Sequence, residues 1–319
     1  MNNLTSEMFI TWDGDVSIAI YVVYAAIGII QILGNGLIIV SISSDQRLHR
    51  KEYCLPVSLA IADFIWGIGQ LTSGLKRSYL IRNELTHTII SYWDCLQEAY
   101  LFCFIFSSTL VPTFSLFISL DRLVACISII LYATLSMKKL ITASIVAYLL
   151  SAMFTAAVYA TGYMIPRKPE MSKLCFGSSS AAKWIAEVLS WYQTITVLSS
   201  VFVYLAALCF LRSGSKKVLS DVLKQKQEKQ RKVTKALFYI IACSFFLDLI
   251  PNFIRSALRS KVSKTVFQIV APISWVLVSA NSAVNIIIYF TKCKDIRQGI
   301  ISVLKCSTLS NKVYSFTRQ

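Results

Sequence analysis

Seven separate apolar runs constrain this chain more than any other feature. They fall at roughly 17–42, 55–75, 95–118, 139–163, 188–211, 232–254 and 266–290. Each is long enough to cross a bilayer as a helix, which takes about 17–25 residues. Backbone polar groups find no water in hydrocarbon, so such runs are expected to satisfy them internally as helices. Only 15% of the residues are charged and 55% are hydrophobic, whereas soluble chains carry about 25% charged residues. So few charges cannot coat a soluble surface, and lipid must cover much of the protein. With 319 residues in all, the loops are short and no separate soluble domain fits. The chain reads as an all-α membrane protein, a seven-transmembrane helix bundle. An extracellular tail covers 1–16, the membrane domain 17–291, and a cytoplasmic segment 292–319. The run at 55–75 is the shortest of the seven.

Charge orients the bundle. With the N-terminus outside, the inner segments hold 21 of the 32 Lys and Arg residues and the outer ones 11. Positive residues favour the cytoplasmic side, so this bias puts the N-terminus out and the C-terminus in. The tail before the first run has no Lys or Arg, so that run is expected to serve as targeting signal and span at once. Asn3-Leu4-Thr5 is a glycosylation acceptor, consistent with an outside tail. The net charge of +16 is carried by loops between apolar runs, which disfavours nucleic acid as a partner. Residues 215–235 are expected to extend spans five and six into the cytosol. Cys293–Cys306 sets Ile296, Ile300, Ile301, Val303 and Leu304 among basic residues. That pattern predicts a short amphipathic eighth helix on the inner leaflet, with Cys306 either palmitoylated or a free thiol.

Polar residues inside a span are costly and each needs a reason. Span one carries Gly34-Asn35, span two Leu59 to Asp63, and span three ends in Asp121-Arg122-Leu123. Span six carries Phe245 and Asp248 before Pro251. Span seven carries Asn281, Ser282, Asn285 and Tyr289. Asn281 and Asn285 are four apart and so share one helix face. A helix-packing network would account for one such residue, but not for five placements in order.

In that order the chain resembles the rhodopsin-like G-protein-coupled receptors over nearly its full length. The resemblance rests on Asn35 in span one, Leu59–Asp63 in span two and Asp121-Arg122 closing span three. It rests further on Pro251 in span six and the run Asn281 to Tyr289 in span seven. Within the family, Leu120-Asp121-Arg122-Leu123 followed by Tyr132 is similar to the nematode serpentine chemoreceptors, in particular class SX. The resemblance implies that a heterotrimeric G protein is the partner, coupled through Asp121, Arg122 and Tyr289. Arg122 is then held by Asp121 at rest and freed when span six swings outward. The family's acidic residue at the inner end of span six is missing, with Arg231 and Lys232 in that region, so basal signalling is expected. Asn35, Asp63, Asn281, Ser282 and Asn285 resemble the polar core that in the family can hold sodium. Val111 removes one of its hydroxyls, so water is the alternative occupant. Cys95 and Cys175 are the implied disulfide, with Cys95 two residues further from Asp121 than the family spacing. Ile286 replaces the span-seven proline, and span five has no proline.

The ligand pocket is expected between the outer halves of spans three, five, six and seven. Its candidate lining is Phe104, Ser108, Asp248, Asn252, Phe253 and Trp275, each of which could equally be a packing residue. Asp248 would bind a cationic group, pair with a basic residue or stay protonated. Phe104 stands where the family's amine receptors carry aspartate, and Ser279 near where opsins carry lysine. An environmental chemical cue sensed in the plasma membrane of sensory cilia is one expectation. A neuropeptide or small transmitter is the other. An enzyme is disfavoured: heptahelical zinc hydrolases need clustered histidines, and only His49 and His87 occur. A channel or a transporter is the remaining class, against the charge bias and the absence of an apparent repeat.

Overall fold

The computed structural model describes residues 14–175, 183–213, 234, 237–258 and 264–316. Seven helices among them are long and apolar enough to cross a membrane. Spans one to five are Gly14–Ser44, Lys51–Arg82, Ala99–Ile127, Met137–Met164 and Lys183–Ser213. Span six covers 237–258, and span seven is Lys264–Lys292. After a break at Cys293, the eighth helix runs Lys294–Phe316. Inner and outer below follow the charge bias of the loops.

The bundle inverts the pattern of a soluble protein. Gln31, Asn35, Asp63, Gln70, Ser107, Asn281, Ser282 and Asn285 are buried, while Leu33, Leu149, Met153 and Phe202 are exposed. Lipid takes the place of a polar coat, so polar side chains turn inward to find partners. This corrects the reading of span two. Its apolar run is short, yet its helix has 32 residues. Two thirds of its most apolar stretch is enclosed, against 22% for span five. Neighbouring helices rather than lipid surround it, so Gln70 and Ser73 are buried within it and Arg77 continues it past the end of the apolar run. Spans one and two approach closely at Gly28. A Cβ there would lie 2.8 Å from the carbonyl oxygen of Gly67 and 2.6 Å from the nitrogen of Leu71, which only glycine avoids.

The main apolar core fills the inner half, with Ile38, Leu59, Leu110, Phe114, Ile118, Tyr204, Leu237 and Ile288 fully or nearly fully buried. Ile296 and Ile300 of the eighth helix join it, while Ile301 and Leu304 stay exposed. The expected amphipathic helix is thus seated on the bundle by one edge and open on another. On the outer side, β1 (Ile89–Ser91) pairs antiparallel with β2 (Pro169–Ser172), with Ile89 opposite Ser172. A five-residue helix, Tyr92–Leu96, follows β1 and is capped by Ser91. Ser91 and Asp94 form a reciprocal capping box, and the Ser91 hydrogen bonds hold the Asp94 carboxyl below the usual carboxylate range.

Span six carries a π-helical turn at Phe245–Leu249 just before Pro251. Such turns insert one extra residue into a helix and occur often at functional positions. Asn3 and the segment 215–233 fall outside the described residues, as does the side chain of Cys306. Cys293 is described: burial pushes its thiol up to about 12, which makes it a poor nucleophile for acylation.

Candidate functional site

At the inner end of span three, Arg122 is 1% exposed. Its Nε donates to Asp121 Oδ2 at 3.0 Å, and a terminal guanidinium nitrogen pairs with the same oxygen. That terminal nitrogen also donates to the Tyr132 hydroxyl at 3.0 Å. Tyr132 lies on the short loop helix Ile129–Thr134, whose N-cap Ser128 accepts from the Leu131 amide. Lys51, first in span two, donates to the backbone carbonyls of Tyr132, Ala133 and Leu135 at the far end of that helix. A cation there suits the negative end of the helix dipole. The Lys51 ammonium also sits 4.2 Å from the Tyr132 ring centroid, and the Arg122 guanidinium 5.6 Å from it. The ring is therefore held by two cations at once. Burial keeps its hydroxyl protonated, above the ordinary tyrosine value, against the opposing pull of Arg122.

Asp121 and Tyr132 thus hold Arg122 from within span three and the loop that follows it. Tyr132 had entered only as part of the family likeness. Its place ten residues after Arg122 gave no sign that loop and helix would fold back together. Tyr204 of span five donates to the carbonyl of Thr234, which joins span five to the inner end of span six. Tyr289 is buried, and its hydroxyl makes no hydrogen bond among the described residues.

Deeper in, Asp63 accepts from Ser282 Oγ at 2.6 Å and from Asn285 Nδ2 at 3.3 Å. Asn281, one turn from Asn285, reaches the other way: its amide lies 3.2 Å from the Ser244 hydroxyl of span six. Asn35 is buried with neither amide atom hydrogen-bonded among the described residues. Three of the five expected polar residues are therefore brought into direct contact and two are not. The donor set fits sodium poorly. The Val111 side chain supplies no oxygen, and the Asn281 amide is taken up by Ser244. Hard cations of this kind want a full shell of oxygens. Ile286, which replaces the span-seven proline, packs where a Cβ on Gly34 would stand. The glycine of span one therefore leaves room for span seven to approach at Ile286.

Further out, sequence reasoning missed a third polar node. Gln31 Nε2 donates to the Ser279 carbonyl and Gln70 Nε2 to the Ser279 hydroxyl, each at 2.6 Å. Ser279 Oγ in turn donates to the Trp275 carbonyl at 2.7 Å. Gln31 lies one turn before Asn35, and Gln70 two turns after Asp63. That spacing on a shared face was the available signal.

The outer candidates divide. The Phe104 ring packs 4.9 Å from Trp66 and 6.4 Å from Tyr24, so it faces spans one and two. Ser108 donates its hydroxyl to the Ile105 carbonyl, and its own carbonyl accepts from Gln193 of span five. Asp248, in the π-helical turn, accepts from Asn252 at 2.6 Å. Phe253 is 64% exposed. Trp275 lies one turn outward of Ser279.

Above them, Cys95 and Cys175 are joined in a disulfide, with Cα atoms 5.5 Å apart. Cys95 belongs to the short helix Tyr92–Leu96 and precedes span three, which begins at Ala99. The two extra residues are taken up in that helix and the turn after it. Arg77 of span two donates to the carbonyls of Leu174 and Cys175 at 2.9 and 2.8 Å. Its guanidinium lies against the rings of Tyr21 and Tyr100. The outer loop is thus pinned to span two as well as to Cys95.

Residues 34–289 match the family model described as 7 transmembrane receptor (rhodopsin family). The chain is 22% identical over 309 residues to Trace amine-associated receptor 6 of Homo sapiens, covering 92% of this chain and 87% of that receptor. It is 24% identical over 307 residues to Olfactory receptor 1M1 of Mus musculus, covering 88% of each. Trace amine-associated receptor 8b of Rattus norvegicus is 26% identical over 146 residues, 46% of this chain and 40% of that one. The family model carries the family, and neither it nor these relatives carries the nematode subclass.

Proposed function

The chain belongs to the rhodopsin family of seven-transmembrane G-protein-coupled receptors, and from that premise we propose that it senses an extracellular chemical cue and activates a heterotrimeric G protein when span six moves outward. It is a receptor and not an enzyme. The observation that carries the coupling role is the burial of Arg122 at the inner end of span three, where Asp121 and Tyr132 hold it. A guanidinium this enclosed is costly to bury and is kept where its release does something. Outward movement of span six would open the inner face and present Arg122 to the G protein, a rigid-body transition between two states. The ligand shifts that equilibrium only by as much as it prefers one state. Chemosensing is supported by the likeness to a receptor named olfactory over 88% of both chains. On this reading the protein works at the plasma membrane, and in a sensory neuron at the cilium.

A second reading, a receptor for a small amine, is favoured by the trace amine-associated relatives and by Asp248. That carboxylate in span six would meet an ammonium in place of the span-three aspartate, where Phe104 stands. The test for both is G-protein activation in cells expressing the receptor or Arg122→Ala, against volatile, small-acid, amine and peptide panels. Loss of signal in the variant at equal surface expression is the expected result. Equal signal in both forms would detach Arg122 from coupling. Ion flux independent of G protein would move the assignment to a channel. An amine response abolished by Asp248→Asn would select the second reading.

A further inference from the structure

Span three carries Pro112 within its helix. Proline has no N–H, so the carbonyl four residues earlier loses its helical partner, and the ring pushes that carbonyl aside. Four residues before Pro112 is Ser108. Its carbonyl oxygen accepts a hydrogen bond from Gln193 Nε2 of span five at 3.2 Å. The next carbonyl is that of Thr109. It accepts from Thr113 Oγ1 at 2.5 Å, and the Tyr192 hydroxyl lies 3.4 Å from it. Consecutive residues of span five thus reach two consecutive carbonyls of span three, the first of them freed by Pro112.

We propose that Gln193 is a positioning residue, which fastens span five to the kink in span three and so sets the resting relation of the two spans on which signalling depends. Span five, Lys183–Ser213, contains no proline of its own. The irregularity that lets these two helices bear on each other lies in span three, and the donor lies in span five. In hydrocarbon the freed carbonyl has no water to turn to, so a neighbouring helix must supply the donor. Gln193 is half-buried and its amide reaches across for that oxygen. Two turns inward, Ser200 Oγ donates to the Ser115 carbonyl at 3.0 Å and lies 2.8 Å from Ser119 Oγ, so the same two spans stay in register toward Arg122.

The test is a double-variant cycle in the full-length receptor, with Gln193→Leu and Pro112→Ala made singly and together. Pro112→Ala restores the N–H that bonds Ser108, which leaves Gln193 nothing to satisfy. Thermal unfolding in detergent is the first readout, and it needs neither ligand nor G protein. Gln193→Leu is expected to lower the midpoint by about 2–4 °C beside Pro112 and to leave it unchanged beside Ala. The second readout is basal guanine-nucleotide exchange per surface receptor. Gln193→Leu is expected to raise it about two- to tenfold with Pro112 and to leave it unmoved with Ala. Equal shifts of the midpoint in both backgrounds would overturn the pairing of Gln193 with the Pro112 kink. A coupled midpoint with unchanged or lowered exchange would overturn the positioning role. Absence of exchange from every form, the parent included, would count against the receptor assignment and leave the midpoint cycle to decide the pairing.

Discussion

Tyr132→Phe isolates one oxygen of the hold on Arg122. The ring stays between the Lys51 ammonium at 4.2 Å and the guanidinium at 5.6 Å, so packing and cation–ring attraction persist. What goes is the hydroxyl that accepts from Arg122 at 3.0 Å. A hydrogen bond to a charged group is worth about 1.5–3 kcal/mol, and more is lost where the charged partner is enclosed. Arg122 is 1% exposed, so water cannot replace the hydroxyl in the resting state. On the proposed mechanism Arg122 leaves Tyr132 in the active state, so the loss falls on the resting state alone. At tenfold per 1.4 kcal/mol, the active-to-resting ratio is expected to rise about ten- to hundredfold, limited by full activity. The assay is basal G-protein activation in cells at matched surface expression, with Asp121 intact in both forms. A basal signal equal to or below that of the parent would refute the reasoning. It would mean that Asp121 alone holds Arg122, or that Tyr132 supports the active state instead.

Other outcomes follow from the same geometry. Cys95→Ser removes a bond that closes a separation of 80 residues, and a loss of roughly 2–5 kcal/mol is expected to show as lower surface expression and an earlier thermal midpoint. Gly34→Val places side-chain atoms where Ile286 packs. Overpacking of that kind costs about 1–3 kcal/mol, and Ile286→Ala in the same chain is expected to recover expression; no recovery would deny the contact. Replacement of sodium by choline is expected to leave basal signalling unchanged, since Val111 and the Asn281–Ser244 pair break the donor shell around Asp63. A sodium-dependent fall in signalling would show that the shell is completed in another way.

The residues that mark the family could be found along the chain because each is a local signal: Asn35, Asp63, Asp121-Arg122, Pro251 and the run to Tyr289. Their contacts were another matter. Asn281 and Asn285 share a helix face, yet one meets Ser244 of span six and the other Asp63 of span two. Ser279 stands near where opsins carry lysine, and in the structure it is the junction of Gln31 and Gln70. Phe104 was expected in a pocket beside spans five to seven and instead packs on Trp66 and Tyr24.

By itself the sequence determined the number of spans, their orientation and the order of the motif residues. Length of apolar run and placement of Lys and Arg act through the bilayer, which every segment meets on its own. The tertiary structure decided that the shortest apolar run becomes a 32-residue, largely enclosed helix. It also decided that Tyr132, itself held by Lys51, closes on Arg122, and that Gln193 finds the carbonyl freed by Pro112. Those outcomes depend on how each helix is rotated and tilted against its neighbours. Tilt and rotation are set by packing between helices, which the pattern along any one of them does not contain.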